Sequence, residues 1–234
     1  MSAESDKVLG INRLPVFPLP LVLMPHEMLP LHIFEPRYRQ LLEDISHTNK
    51  LFGLSLFEPE NEFQNRPQTN TIGCVAEVRE SKELEDGRSN ILTVGVIRYR
   101  LLEYLETDDP YLVAKVEFFE DEDEVDPNTE ALSKEVFLLF KRVAQAAHNL
   151  SGQRGEFPDI PEAAPEQLSF LVSAAFNLPP EEKYEYLEMT STRGRLKKVH
   201  GILSESVKQV EESAKIDKIS RTNGHANKKI DLGP

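Results

Sequence analysis

Histidine, cysteine and clustered carboxylates are the side chains here best suited to chemistry, and their spacing supports little of it. His26, His32, His47, His148, His200 and His225 are scattered, and no two stand three or four positions apart. Two imidazoles therefore cannot share one turn of a helix face, and no H-E-x-x-H occurs, so a zinc hydrolase has no support. Cys74 is the only cysteine, which leaves no intramolecular disulfide and no cysteine-based metal site. Following Gly73 in an apolar run, it reads as a small buried hydrophobe. No glycine is followed directly by lysine, so the phosphate-cradling loop G-x-x-x-x-G-K-S/T is absent. The nucleophile elbow G-x-S-x-G is absent too. Glu120 to Pro127 places six acids in eight residues. Such a run prefers water to a core and fits an exposed linker; it lacks the glycine and closing glutamate of an EF-hand loop. No metal and no cofactor are expected. Glu35 and Arg37 flank Pro36 at a helix start. They form a small site, or they fix the angle at which the chain enters the helix.

The elements that position these residues follow from periodicity. Leu14 to Leu23 is almost wholly apolar but broken by Pro15, Pro18 and Pro20. Proline removes a backbone donor and fixes φ, so this reads as a short edge strand running into an extended loop. Met24 to Glu27 turns the chain, and Met28 to Phe34 returns as a second strand. It holds His32, which reads as a hydrogen-bonded structural residue. Pro36 opens a helix to about Thr48, with Tyr38, Leu41, Leu42 and Ile45 on one face. Strands are predicted at 51–57, 71–78, 90–104 and 111–119, with an Asp86-Gly87 turn between the second and third of these. The polar loop 59–70 contains Phe63, which either folds back over the core or stands out as an anchor. Beyond the acidic run the period changes from two to 3.6. Helices are predicted over 128–150, 166–178, from Pro180 and over 196–214. The division expected is a disordered arm 1–10, a β-rich unit 11–119, an acidic linker 120–127, a helical unit 128–215 and a disordered tail 216–234.

With 27 Lys+Arg against 40 Asp+Glu, the net charge is −13. Such a surface repels phosphate backbones, whose binding depends on counterion release. No run of about 18 apolar residues occurs, so no membrane span is expected. The first ten residues carry acids and lack an apolar h-region, so a cytoplasmic location is expected.

The run LPVFPLP, then MPHE, then LPLHIFEPRYR resembles the opening of the LON N-terminal (substrate-binding) domain family. Gly95, Arg98, Tyr99 and Arg100 are similar to a hairpin segment of that family, and FLVSAAFNLPPEEKYEYLEM and RLKKVHGIL to its helical part. The likeness covers about residues 11 to 205; Leu178-Pro179-Pro180 departs from a serine-type cap. It implies an α+β fold: an N-terminal PUA-like twisted β-barrel with one packed helix, followed by a C-terminal helical bundle. It also implies a binding part. The family's full-length proteases add an ATPase and a Ser-Lys peptidase, and neither has a counterpart among these residues, so no enzyme activity is expected. The expected role is recognition of polypeptides or partner proteins, in quality control or as an adaptor, at a groove between barrel and helices. An edge strand can accept an extended peptide there. Phe17, Arg37, Arg39 and Phe63 are the expected contacts. The alternative is a PUA-like small-ligand or RNA-binding module, and the net charge weighs against RNA.

Overall fold

A computed structural model describes residues 2–58, 65–122, 126–150 and 157–223, so Phe63 lies outside the described residues. Six strands come first: β1 (Arg13–Leu19), β2 (Met28–Ile33), β3 (Leu51–Leu56), β4 (Ile72–Glu83), β5 (Ser89–Leu105) and β6 (Leu112–Phe119). Helix α1 (Ala3–Lys7) precedes them and α2 (Pro36–Ser46) interrupts them; α3 (Asn128–Leu150), α4 (Pro165–Ala175), α5 (Pro180–Glu188) and α6 (Thr192–Asn223) follow. Sheet and helices in succession make the fold α+β.

β1 is not a simple edge. Its first half, Arg13 to Val16, pairs antiparallel with β6, and its second half, Val16 to Leu19, pairs parallel with β3. Pro15 and Pro18 thus lie on halves that each have one neighbour, which is where a missing backbone donor is tolerated. β3 pairs β4, β4 pairs β5, and the second half of β5 pairs β6, so the pairings close on themselves through β1. The first half of β5 carries β2 instead. Inside the ring lie Leu14, Val16, Val75, Tyr99, Leu101 and Ala114, all buried. The Tyr99 hydroxyl meets Ser55 Oγ at 2.6 Å, and Gly53 and Gly73 leave room for its ring, since a Cβ at either would strike it.

The other face of the sheet packs on helices in one continuous core. Phe52, Leu54, Cys74 and Ile91 meet Tyr38, Leu41 and Ile45 of α2, and the same cluster takes in Val136, Leu168, Phe170, Leu187 and Leu196. Much of the groove expected between sheet and helices is therefore filled. A shallow pocket of about 240 Å³ remains, lined by Leu56, Phe57, Arg66, Pro67 and Glu181.

Two stretches expected to be loose are ordered. Ser2 caps α1 by accepting from the Ser5 N–H at 3.1 Å, Val8 is buried, and Lys7 pairs with Glu77 at 2.6 Å. At the other end α6 runs as helix to Asn223, past the expected start of the tail.

Candidate functional site

The acidic run is not a solvated linker throughout. The Asp121 side chain is 6% exposed and ties the two halves together. Its Oδ1 accepts from Arg98 Nη2 of β5 at 2.5 Å, and its Oδ2 from Arg195 Nη2 of α6 at 2.5 Å. Thr192 Oγ1 donates to the same carboxylate. Arg98 also donates to the carbonyls of Leu187 and Met189, and Arg195 to Met189 and to Ser169 Oγ of α4. Both guanidiniums lie against the Phe170 ring, at 5.2 and 3.6 Å. The two guanidiniums share the Asp121 carboxylate, with Glu166 close enough to act on both and carbonyls taking their remaining donors, which is what allows them to be buried. This arrangement ties sheet to helices, and a cavity of only about 40 Å³ borders it, at Arg98, Phe119 and Glu166.

The residues expected to make contacts are dispersed. Phe17 is 7% exposed and stacks on Tyr38 with centroids 3.8 Å apart, so it belongs to the core. Arg37 is exposed, and its Nε donates to Glu35 Oε2 at 2.9 Å while its guanidinium lies over Tyr38. Glu35 makes no capping bond with its side chain, so the pairing of these two residues braces the helix start. Arg39 faces a polar groove of about 580 Å³ between α2 and the β4–β5 hairpin, with its guanidinium against Gly87. His32 Nδ1 lies 2.7 Å from Asn90 Oδ1, the structural role expected for it.

The open feature of the sheet is β2. Among the described residues it pairs only with β5, leaving its other edge without a strand. Side chains alternate across it. Leu29, Leu31 and Ile33 sit opposite Thr93, Ile91 and Ser89, on the side that joins the main core. Met28, Pro30 and His32 sit opposite Val94, Leu92 and Asn90 on the open side. Met28 is 68% exposed, and Phe34, just past the strand, is 59% exposed with its ring 6.1 Å from that of His32. Large apolar side chains this exposed beside an unpaired strand edge mark a contact surface. The period-two run Met28, Pro30, His32, Phe34 carried the signal in the sequence, but not which face would be covered.

The turn before β2 sets its position. His26 has φ +66°. Its N–H donates to the Gly95 carbonyl at 2.8 Å, and the Gly95 N–H donates to the Glu27 carbonyl at 2.9 Å. Met24 N–H donates to the Glu27 carboxylate at 2.8 Å. Burial pushes the Glu27 pKa up, the Met24 N–H opposing it, and burial pushes the His26 pKa down, with Glu4 opposing it. Among the described residues no group of three His, Cys, Asp or Glu is placed to hold a metal, and no helix is long and apolar enough to cross a membrane.

Comparison with known proteins assigns the family. The chain is 28% identical over 213 residues to a Lon protease of Dictyoglomus thermophilum, covering 87% of this chain and 26% of that protein. It is 28% identical over 216 residues to a Lon protease of Anaeromyxobacter dehalogenans, covering 87% of this chain and 24% of that protein. It thus spans about a quarter of the length of these relatives. A Lon N-terminal domain protein from Xanthomonas campestris has the same fold, with TM-score 0.58 and 22% identity over 81% of this chain and 97% of that one. The N-terminal domain of the Mycobacterium avium complex Lon protease gives TM-score 0.58 at 15% identity, over 82% of this chain and 98% of that one. The profile of the ATP-dependent protease La (LON) substrate-binding domain matches residues 13–205, and the chain belongs to that family.

Proposed function

We propose that the chain captures extended, apolar stretches of polypeptide along the unpaired edge of β2 and performs no chemistry of its own. The observation that carries this is the one-sided pairing of β2, with Met28 and Phe34 projecting beside it. A peptide laid along that edge gains main-chain hydrogen bonds, and its alternate side chains meet Met28, Pro30 and Phe34. Pro30 offers no donor, so affinity rests on the apolar contacts and the remaining backbone groups. Arg37, exposed just beyond Phe34, is the flanking contact; Arg39 serves only a ligand long enough to reach the hairpin groove.

Such a module presents unfolded or damaged chains to a protease or chaperone, an adaptor or quality-control role in the cytoplasm. The closed ring of strands is read as the PUA-like barrel of that module. The absence of any glycine followed by lysine supports a part that leaves ATP hydrolysis to other machinery. The test is fluorescence anisotropy of a labelled, permanently unfolded protein titrated with the full chain. Binding that falls about tenfold in Met28→Glu/Phe34→Glu, with thermal melting unchanged, supports the reading. Equal affinity for the variant, or no binding beyond that of an acidic control protein, overturns it.

A further inference from the structure

Hydrogen bonds at the start of β2 fix which of its backbone groups face the open edge. The Gly95 N–H donates to the Glu27 carbonyl at 2.9 Å, so that carbonyl points at β5. Two residues on, the Leu29 carbonyl points the same way, since the Thr93 hydroxyl donates to it at 2.9 Å. Backbone groups alternate in direction along an extended strand, and β2 pairs with β5 without a break from Met28↔Val94 to Ile33↔Ser89. Leu29, Leu31 and Ile33 therefore turn their N–H and C=O groups to β5. Met28, Pro30 and His32 turn theirs to the edge that, among the described residues, no strand covers.

Pro30 thus stands at the middle of the free edge, where its missing donor takes nothing from the ladder with β5. The edge presents three carbonyls, of Met28, Pro30 and His32, but only two N–H groups, of Met28 and His32. An ordinary chain laid antiparallel along it leaves one carbonyl of its own without a donor, opposite Pro30. A second copy of this chain brings a second Pro30. Two β2 strands paired antiparallel then lack two donors, one from each proline. One net hydrogen bond shifts an equilibrium constant about two- to tenfold. The bar to self-pairing is the square of the bar to capture, about five- to hundredfold. The strand from Met28 to Phe34 has no Lys, Arg, Asp or Glu. Those side chains commonly keep exposed edges apart, so here the proline is left to do it.

We propose that Pro30 sets the specificity of the β2 edge: its missing donor disfavours pairing between copies and leaves the edge open to extended segments of other chains. The second half of this statement rests on the capture reading of β2; the first half has a readout of its own. Pro30→Ala and Pro30→Val both restore the donor. Pro30 is exposed, and circular dichroism checks that each variant folds. Sedimentation velocity over a concentration series reads self-association. Anisotropy with a labelled, permanently unfolded protein reads capture. The parent chain is a monomer, and both variants dimerise about five- to hundredfold more readily. Capture tightens about two- to tenfold, roughly the square root of the gain in dimerisation. Adding Met28→Glu to Pro30→Val dissolves the dimer, which places it at β2. Variants as monomeric as the parent overturn the proposal, whatever they capture. So does a parent chain that is already a dimer and that Met28→Glu dissolves. Dimerising variants beside a parent that captures nothing overturn the capture reading and uphold the bar to self-pairing.

Discussion

Arg98 of β5 and Arg195 of α6 meet across one carboxylate, Asp121, which accepts from each at 2.5 Å. The two arginines are 1% and 0% exposed, so their charges have no recourse to water. Asp121→Ala removes the one carboxylate that both arginines bond directly, and removing one partner of such a buried pair costs about 3–5 kcal/mol. Urea unfolding of the variant shows a loss of that order. A loss under about 1 kcal/mol would mean that the carbonyls of Leu187 and Met189 suffice to hold the arginines.

Gly95→Ala is a second sharp test. A Cβ at Gly95 would collide with the Met24 carbonyl, and Gly95 also exchanges backbone bonds with His26 and Glu27. Backbone shifts of this kind cost about 1–3 kcal/mol. Because the turn 24–27 leads directly into β2, the variant loses both stability and affinity for unfolded protein, whereas Met28→Glu loses affinity alone.

His26 makes part of the stability depend on pH. Its folded pKa lies below the ordinary 6.5, chiefly because burial disfavours the imidazolium; Glu4 opposes this and Lys7 adds to it. A depressed pKa adds stability above the unfolded value that is lost as pH falls through the folded one. Asn tolerates the positive φ at this position. Between pH 7.5 and 5.5, His26→Asn loses less melting temperature than the parent chain. Equal losses would remove His26 from the account.

Phe17 and Phe34 separate stability from recognition. Phe17 packs on Tyr38 and Phe52, with centroids 3.8 and 6.0 Å away, so Phe17→Ala costs about 3–5 kcal/mol. Phe34, 59% exposed, changes stability little when truncated but weakens polypeptide capture. Denaturant midpoints and binding isotherms of the two variants show opposite patterns.

Local rules made much of the fold legible. Pro36 begins α2 as expected, and Tyr38, Leu41 and Ile45 form its buried face. The strands from Leu51 to Phe119 lie within a few residues of where the alternation put them; β4 runs on to Glu83, since its far end pairs with β5. What failed was whatever depends on a distant partner. Asp121 stands in a run whose charge favours water, and only the arrival of Arg98 and Arg195 makes its burial affordable. β1 reads as an edge because of its prolines, yet β3 and β6 divide it between them. Phe17 belongs to the same apolar run as Val16, and the run alone does not say that Tyr38 covers it. Met28 and Phe34 are no more apolar than their buried neighbours; strand pairing alone leaves them open.

The pairing of β1 with β6 also fixes when the molecule can become whole. Leu14 lies opposite Ala114, so the earliest strand to be made waits for one of the last before its ladder is complete. Contacts so far apart in sequence are slow to form, because the intervening chain must be ordered first. Until then the apolar strands synthesised in between are exposed to the cell's own chaperones and proteases, and this chain passes through the very condition it is proposed to recognise in others.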